Sequence, residues 1–272
     1  MPITPPALVL GAPRVPTPFG MFGAVSFRSG TDRWELGATY ETLTCDPLGV
    51  IGPPEWANTP GLPLVLPKGA PSGTSLPFTV YGHFRCSPIG WTPENAQSRA
   101  SQHLLAREEQ TVEKAFWNGA SGNTPSLQGA TPLAAGVGVD PVHGLGLLEE
   151  FIAINYGSQG VIHLTLATAT TLFSRQTLEV RGTKLVTRLG TPVIAGSGYT
   201  GTGPTNVAPL ASQAWAYGSP ALFVYRSDIA TSSNRSGDLL DRGVNNLYAV
   251  AERTYLLGYD PCGVGAALMT IA

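Results

Sequence analysis

Three glycines near residue 200 have the spacing of a dinucleotide-binding fingerprint, Gly196-x-Gly198-x-x-Gly201 within TPVIAGSGYTG. In that chemistry a strand leads into the glycine turn, and a helix that opens at the third glycine turns its N-terminal amides toward a pyrophosphate. An acidic residue about 20 positions further on binds the ribose. The motif therefore raises the question of a cofactor enzyme.

The residues after these glycines supply neither the helix nor the acid. Pro204 and Pro209 interrupt the segment in which the helix would begin. The next acidic side chain is Asp228, too far along the chain for the ribose contact. We therefore predict no cofactor here, and a strand that runs into a mobile glycine-rich loop.

A hydrolase would need a nucleophile, a base and an orienting acid in contact. Ser174 and His163 fall in one predicted strand–helix unit, but no GxSxG elbow accompanies them. We interpret His163, in the run VIHLTL, as a strand residue with its hydrogen bonds satisfied. Glu149 and Glu150 are adjacent on a predicted helix, so their side chains diverge and mark a solvated or interface face. No catalytic residue is predicted.

The cysteines Cys45, Cys86 and Cys262 are far apart, odd in number and without a CxxC pair. The four histidines show no ligand spacing either. This pattern argues against structural zinc and against a disulfide framework. We predict no metal site, and free, partly buried thiols in a reducing cytoplasm.

Two charged residues, Glu252 and Arg253, interrupt the otherwise apolar strand LYAVAERTYLL. Charges in such a run are rarely left unpaired. We expect at least one of them to pair across a strand or across a subunit boundary. Asp241 and Arg242 are the candidate partners.

The composition is poor in charge. Charged residues make up 12% of the chain, against about 25% in a typical soluble domain. A net charge of −2 gives no footprint for sequence-specific nucleic-acid binding. No apolar stretch approaches the roughly 18 residues of a membrane span, and the N-terminus lacks the pattern of a secretory signal. Low charge beside 43% hydrophobic residues predicts a surface covered by oligomer contacts.

The first third of the chain is dominated by proline, with 16 of the 24 prolines in residues 1–93. Its opening predicts an extended arm that docks on something else. Two strand-like runs follow, Arg33–Cys45 and Leu76–Cys86. About 30 residues rich in Pro and Gly separate them, which is too long for an ordinary turn and predicts the tip of a projecting hairpin.

A long helix is the strongest local prediction. Thr92 is suited to the N-cap, Pro93 to the first helical position and Asn118-Gly119 to the stop. One stripe of the helix is apolar. The charged residues predicted mostly opposite it are Arg107, Glu108, Glu109, Glu113 and Lys114.

Shorter elements follow in mixed order. We predict a helix over Asp140–Tyr156, a short helix near Ala167–Arg175, a hairpin turning at Arg181-Gly182, and two long final strands joined at Asp260-Pro261. Because strands and helices do not repeat as βαβ units, the fold class is α+β.

This order of elements resembles the major capsid proteins of tailed bacteriophages, which have the Hong Kong 97-type fold, and in particular an actinobacterial phage subfamily. The local stretches that carry the resemblance are RWELGATYETLTC, YGHFRCSPIGW, KLVTRLGTPVIAGSGY, ALFVYRSDI and LDRGVNNLYAVAERTYLLGYDPCGVGAAL. It extends over nearly the whole chain and rests on pattern, without a single diagnostic motif.

The resemblance implies a division of the chain. It gives an N-terminal arm (1–32), an extended E-loop hairpin (33–87), a peripheral domain with a spine helix (88–135), an axial domain (136–222), a return to the peripheral domain (223–262) and a final strand of the axial domain (263–272). Many such proteins carry a cleaved N-terminal scaffolding domain. Here the arm begins at once, so we expect a separate scaffold protein, or none, and no proteolytic maturation.

The function implied by the resemblance is structural. The chain would form hexamers and pentamers of an icosahedral virion shell, assembled in the host cytoplasm around double-stranded DNA that it contacts non-specifically. Portal and scaffold proteins, and a decoration protein, are the implied partners. No cofactor and no membrane are expected.

Several side chains are candidates for contacts between subunits. These candidates are Trp34, Trp56, Lys68, Asp241, Arg242, Glu252 and Arg253. Some capsids of this type join a lysine on the hairpin to a neighbour's asparagine by an isopeptide bond. Lys68 with Asn245 or Asn246 would be the equivalent here, and an ordinary contact with a neighbour's carboxylate is the alternative.

Other classes of protein stay open at this stage. An encapsulin-type nanocompartment shell shares the fold but encloses cargo enzymes. A phage tail-tube or decoration protein would be rich in proline and strand, but would have little use for the long helix. A soluble enzyme lacks a convincing site.

Overall fold

The computed structural model describes residues 17–28, 33–42, 45, 72–119, 122, 124–232, 240–241 and 243–271. Trp56, Lys68, Arg242 and the side chain of Asp241 lie outside the described residues, as does most of the predicted arm.

Helices and strands alternate irregularly along the chain. The helices are α1 (Met21–Ala24), α2 (Pro93–Asn118), α3 (Pro141–Asn155) and α4 (Leu166–Ser174), with 3-10 turns at Trp34–Leu36 and Leu133–Gly136. The strands are β1 (Ser26–Arg28), β2 (Ala38–Glu41), β3 (Ser72–Ser75), β4 (Phe78–Cys86), β5 (Thr131–Pro132), β6 (Val161–Thr165), β7 (Leu178–Arg181), β8 (Lys184–Thr187), β9 (Pro192–Gly196), β10 (Gln213–Ser219), β11 (Leu222–Arg226), β12 (Ala230–Ser232), β13 (Leu240–Asp241), β14 (Asn246–Tyr259) and β15 (Gly265–Thr270). The α+β class is confirmed.

The long helix α2 begins and ends where the sequence predicts. The Thr92 hydroxyl accepts a hydrogen bond from the Asn95 amide at 3.3 Å, which satisfies one of the free amides of the first turn. Gly119 closes the helix in the left-handed conformation, with φ +61°, and its amide donates to the Ala115 carbonyl.

The first sheet is built around the 14-residue strand β14. In the described chain its order is β1-β11-β14-β12, and β4 and β13 also pair with β14. Every second residue of β14 faces α2, which lies across this sheet over a core that includes Phe116, Trp117 and Tyr255. The helix comes close because β4 carries Gly82, where a Cβ would lie 2.5 Å from the Leu104 amide nitrogen.

The second sheet has the order β5-β15-β10-β6-β9-β8-β7 in the described chain. α3 and α4 pack on it around Leu148, Ile162, Leu164 and Leu172. The predicted hairpin is confirmed as β7 and β8, with Gly182 at φ +63° in its turn. The two predicted final strands are β14 and β15, and each lies in a different sheet.

The strand pairing of the predicted hairpin differs from the prediction. β2 pairs antiparallel with Ser72–Ser75, inside the segment predicted as loop, and the predicted second leg pairs with β14 instead. The sequence SGTS has neither the alternation nor the β-branched residues that mark a strand. It becomes a strand because β2 and the face of the first sheet lie beside it.

The prediction of free thiols is wrong for two of the three cysteines. Cys45 and Cys262 form a disulfide, with their Cα atoms 4.9 Å apart, although 217 positions separate them in sequence. Spacing along the chain gave no sign of this pair, because the fold brings the end of β2 to the turn between β14 and β15. Cys86 is free.

No helix in the described part of the chain is long and apolar enough to cross a membrane. Among the same residues, no group of three His, Cys, Asp or Glu side chains could hold a metal ion.

Candidate functional site

Three acidic residues of α2 point into the protein, although the sequence predicts them mostly opposite the apolar stripe of the helix. Glu113 is fully buried and Glu108 nearly so, while Glu109 is half-buried. A buried carboxylate needs donors to replace the water that it loses. The donors here come from segments far away in sequence, and they identify a junction between three parts of the fold.

Glu113 binds two of these segments at once. One carboxylate oxygen accepts from the Met21 amide at 2.9 Å, and the other accepts from the Gly198 amide at 2.8 Å and the Ser197 hydroxyl at 3.3 Å. Burial raises the pKa of Glu113 from its ordinary value of 4.5 to about 7, and the nearby Glu109 adds to this. The hydrogen bonds act in the opposite direction but do not cancel the burial effect.

Glu109 binds the same N-terminal segment at Phe22, the residue after Met21. It accepts from the Phe22 amide at 2.9 Å, and burial raises its pKa. Gly20 lies directly against this carboxylate, and a side chain at that position would overlap it. Glu109 and Glu113 thus bind the first amides of α1 and fasten the segment before β1 to the long helix.

The glycine fingerprint contributes to this junction. No helix follows Gly201 as far as β10, in agreement with the prediction. The predicted mobile loop is wrong, however, because Gly198 is bound to Glu113 and lies against the backbone of α2. A Cβ there would overlap the Gln110 carbonyl oxygen and come within 2.9 Å of the Glu113 Cβ. Gly201, at φ +74°, completes the turn.

Gly198→Ala is expected to destabilise the protein by about 1–3 kcal/mol, because the atom that blocks the new methyl group is backbone. Urea unfolding followed by fluorescence would measure the loss. Gly146→Ala is the matched control, since a Cβ there meets nothing within 4 Å and alanine favours the helix by roughly 0.5–1 kcal/mol. Equal stability of the two variants would contradict the close contact.

Arg253 is paired, as expected, but with the long helix. Its guanidinium contacts both Glu108 carboxylate oxygens, at 3.0 and 3.2 Å, and the Tyr255 hydroxyl donates to the same carboxylate at 3.0 Å. The partner that the structure shows is therefore Glu108, reached across the layer between helix and sheet. Glu252 lies half-buried on the opposite face of β14.

His163 is a hydrogen-bonded strand residue, which confirms its interpretation. Its two ring nitrogens lie 2.9 Å from the hydroxyls of Tyr199 and Ser219. Full burial lowers its pKa to about 3, so the ring is neutral near pH 7. Ser174 binds the carbonyl of Thr171 in its own helix, so it is not assembled into a hydrolase site.

The adjacent acids of α3 diverge, as predicted. Glu149 accepts from the hydroxyls of Thr187 and Thr191, at 2.5 and 2.9 Å. Glu150 is exposed. Glu149 is therefore bound to the second sheet, and Glu150 faces outward.

Trp34 is largely buried within its own chain. Its ring stacks on Tyr225 with the centroids 5.7 Å apart, and it is 7% exposed. Its neighbour Tyr40 donates a hydrogen bond to the Tyr259 carbonyl at 2.6 Å. These contacts hold the base of the hairpin on the first sheet. A role for Trp34 or the other candidates between subunits stays a prediction.

Sequence reasoning missed Glu109, Glu113 and Gly198 as a connected set. The spacing of the two acids, four residues apart on one helix face, was a visible signal. Their donors were not visible, because Met21 and Gly198 reach them only in the folded chain.

Several aliphatic side chains of the described residues are strongly exposed. Five aliphatic side chains are each between 72% and 85% exposed: Leu36, Ile89, Ile154, Leu189 and Leu210. A shallow apolar groove of about 240 Å³ also opens between α4 and the β7–β8 hairpin. An open groove with a mainly apolar lining is a candidate contact site.

No protein-family profile and no curated protein sequence matches this chain. Solved structures do match its fold. The capsid of a native GTA particle, computed with C5 symmetry, matches with a TM-score of 0.60 and 8% identity, over 99% of this chain and 96% of the other. A chain from Mycobacterium phage Ogopogo gives 0.50 and 17%, over 98% and 97%. One from Gordonia phage Cozz gives 0.51 and 14%, over 97% and 90%. The chain thus has a phage capsid fold over nearly its whole length.

Proposed function

We propose that the protein is the major capsid subunit of a tailed phage, which assembles into hexamers and pentamers of an icosahedral shell around double-stranded DNA. Its role is structural and not catalytic. The observation that carries this proposal is the agreement in fold with the GTA capsid over 99% of this chain and 96% of the other. Agreement from end to end indicates the same kind of subunit, since a shared module would match only in part.

The distribution of contacts within the chain supports the proposal. β2 and β3 form a short antiparallel pair beside the first sheet, and residues 42–71 connect the two strands along the chain. In the proposed shell, this segment is the tip of the E-loop and residues 1–32 are the arm. The spine helix is α2, the first sheet is peripheral, and the second sheet is axial.

The surface chemistry also suits a shell. Few charges and many exposed aliphatic side chains leave the lone subunit with apolar surface that neighbours would cover. Each contact can be weak, because closed symmetry repeats it over many copies. Low charge reduces the repulsion between subunits that are packed closely.

The partners follow from this role. We propose a separate scaffold protein and a portal protein, non-specific contact with packaged DNA, and a decoration protein on the outer surface. Assembly takes place in the bacterial cytoplasm and the product is the virion capsid. These partners are inferred from the proposed function alone.

Electron microscopy of the expressed protein tests the proposal directly. Shells, or tubes of hexamers, are the expected particles. Uniform small particles over a range of protein and salt concentrations would contradict it. The contents separate the two shell functions: nuclease-protected DNA in particles from infected cells indicates a capsid, and copurifying cargo enzymes indicate an encapsulin-type compartment. Stacked rings without closed shells would indicate a tail tube.

Denaturing electrophoresis of mature particles tests the covalent link at Lys68. A clean band at 28.4 kDa is the result expected from an ordinary contact. A ladder of higher bands that Lys68→Ala abolishes would establish the isopeptide alternative. Lys114→Ala is a suitable control, since it changes a lysine of the long helix.

A further inference from the structure

We infer that the Cys45–Cys262 disulfide is a redox-controlled clasp, which fixes the base of the long hairpin after the protein leaves a reducing compartment. The position of the clasp follows from the fold of this chain. Its timing rests on the proposed function, because a capsid is built in the cytoplasm and then released from it.

The two cysteines lie where the hairpin meets the junction of the two sheets. Cys45 follows β2 by four positions, and the Thr42 hydroxyl lies 3.4 Å from its sulfur. Cys262 lies in the turn between β14 and β15, which belong to different sheets. Its amide donates to the Asp260 carbonyl at 2.8 Å. One bond therefore joins the hairpin to the connection between the two sheets.

Contacts other than the disulfide also bring these two sulfurs together. Tyr40, in β2, donates to the carbonyl of Tyr259, the last residue of β14, at 2.6 Å. Its ring also packs edge-on against Phe223, with the centroids 5.0 Å apart. These contacts fix the end of β2 close to the end of β14, so reduced thiols would remain close enough to react.

The hairpin base is weakly held by backbone pairing alone. β2 and β3 share four residue pairs in a sheet of their own. A two-stranded sheet is at best marginally stable by itself in water. The aromatic contacts and the disulfide add to this pairing, so loss of the disulfide affects a part of the fold with little backbone pairing of its own.

Closure proceeds by exchange with a small disulfide such as oxidised glutathione. One cysteine thiolate attacks the small disulfide, forms a mixed disulfide and releases one small thiolate. The second cysteine thiolate then attacks the sulfur of the first cysteine and displaces the other small thiolate. Two protons pass from the cysteines to the released thiolates, and the two electrons from the cysteines end in two small thiols.

The third cysteine does not compete for this exchange. Cys86 pairs with Leu247 near the start of β14, whereas the clasp lies just past its other end at Tyr259. At about 3.3 Å per residue this separation is about 40 Å. Cys86 is therefore the matched control in both the thiol-alkylation and the hydrogen-exchange experiments.

Alkylation of thiols followed by intact-mass measurement tests closure. In protein treated with oxidised glutathione and then denatured, we expect one thiol to be alkylated, and three after prior reduction. In infected or expressing cells quenched with acid and alkylated at once, we expect three. Three thiols in the oxidised sample, or one in the quenched cells, would overturn the clasp as a redox device.

Hydrogen exchange tests what the clasp does. Reduction of the wild-type protein, and separately Cys262→Ser, should speed exchange of the amides of residues 38–41 and 72–75 at least tenfold, while Cys86→Ser leaves them unchanged. Unchanged exchange after reduction would overturn the inference even where Cys262→Ser fails to fold. Electron microscopy of reduced and oxidised samples tests the proposed function separately from the clasp. If the reduced protein forms shells, the proposed function is supported whatever the result of hydrogen exchange.

Discussion

Arg253→Ala is expected to lower the free energy of unfolding by about 3–5 kcal/mol, because it leaves a carboxylate buried without its cation. The side chains of Arg253 and Glu108 are only 13% and 9% exposed. After the substitution, the Tyr255 hydroxyl still donates a hydrogen bond to the Glu108 carboxylate. Urea unfolding at pH 7 measures the change, and Arg107→Ala, on the exposed face of the same helix, should stay within about 0.5 kcal/mol of wild type.

A double variant separates charge burial from general damage to the core. Arg253→Met with Glu108→Leu removes both charges and keeps apolar volume, so most of the lost stability should return. A loss below about 1 kcal/mol in Arg253→Ala would show that the pair has little energetic role. Failure of the double variant to recover would locate the cost in packing.

Glu113 is expected to make the protein less stable as the pH rises from 4.5 to 7. Its pKa is about 7 in the fold, against an ordinary value of 4.5, so the folded state holds the proton more tightly than the unfolded state. The stabilisation from this proton is complete below pH 4.5, is lost as the pH rises through 7, and amounts to about 3 kcal/mol at 1.36 kcal/mol per pH unit. Glu109 acts in the same direction, since its pKa is also raised.

His163 acts in the opposite direction, so the wild-type profile alone does not isolate Glu113. Its folded pKa is about 3, so its contribution is present above pH 6.5 and is lost as the pH falls. The measurement is therefore the difference in unfolding free energy between wild type and Glu113→Gln at pH 4.5, 5.5, 6.5 and 7.5. This difference should fall by about 3 kcal/mol across the series.

The groups that face Glu113 define the controls. They are Glu109 on its own helix, the Ser197 hydroxyl, the Gly198 amide and the Tyr199 phenol on the glycine loop, and the Met21 amide of the N-terminal segment. The pKa of the Tyr199 phenol is raised by burial and by Glu113, so this phenol stays neutral across the series. Glu150→Gln, an exposed acid on α3, should leave the profile unchanged. A constant difference between wild type and Glu113→Gln would refute the assignment.

The sequence was most informative where local signals decide the structure. Thr92, Pro93 and Gly119 each act within one turn of the helix, so the ends of α2 could be predicted. The four residues Ser72–Ser75 could not, because they become a strand only by pairing with β2. The Cys45–Cys262 disulfide could not be predicted for the same reason, because the two cysteines approach only when the end of β2 meets the end of β14.

The charged residues show the same limit more sharply. The local pattern placed Glu108, Glu109 and Glu113 mostly opposite the apolar stripe, and acids are usually exposed. The fold overrides this preference by bringing Arg253 and two backbone segments to them. In contrast, the order of elements and the local stretches that resemble phage capsid proteins were sufficient to anticipate a phage capsid fold.

The two glycine contacts of α2 have a mechanical consequence. Gly82 brings the first half of the helix against the backbone of one sheet, and Gly198 brings its second half against a loop of the other. At both contacts the helix backbone packs directly against another backbone segment, with no side chain between them. The helix is therefore held rigidly at two points along its length. In the proposed shell, five-fold and six-fold positions require subunits to meet at different angles. We expect this change of curvature to fall between subunits and to leave the two backbone contacts of α2 unchanged.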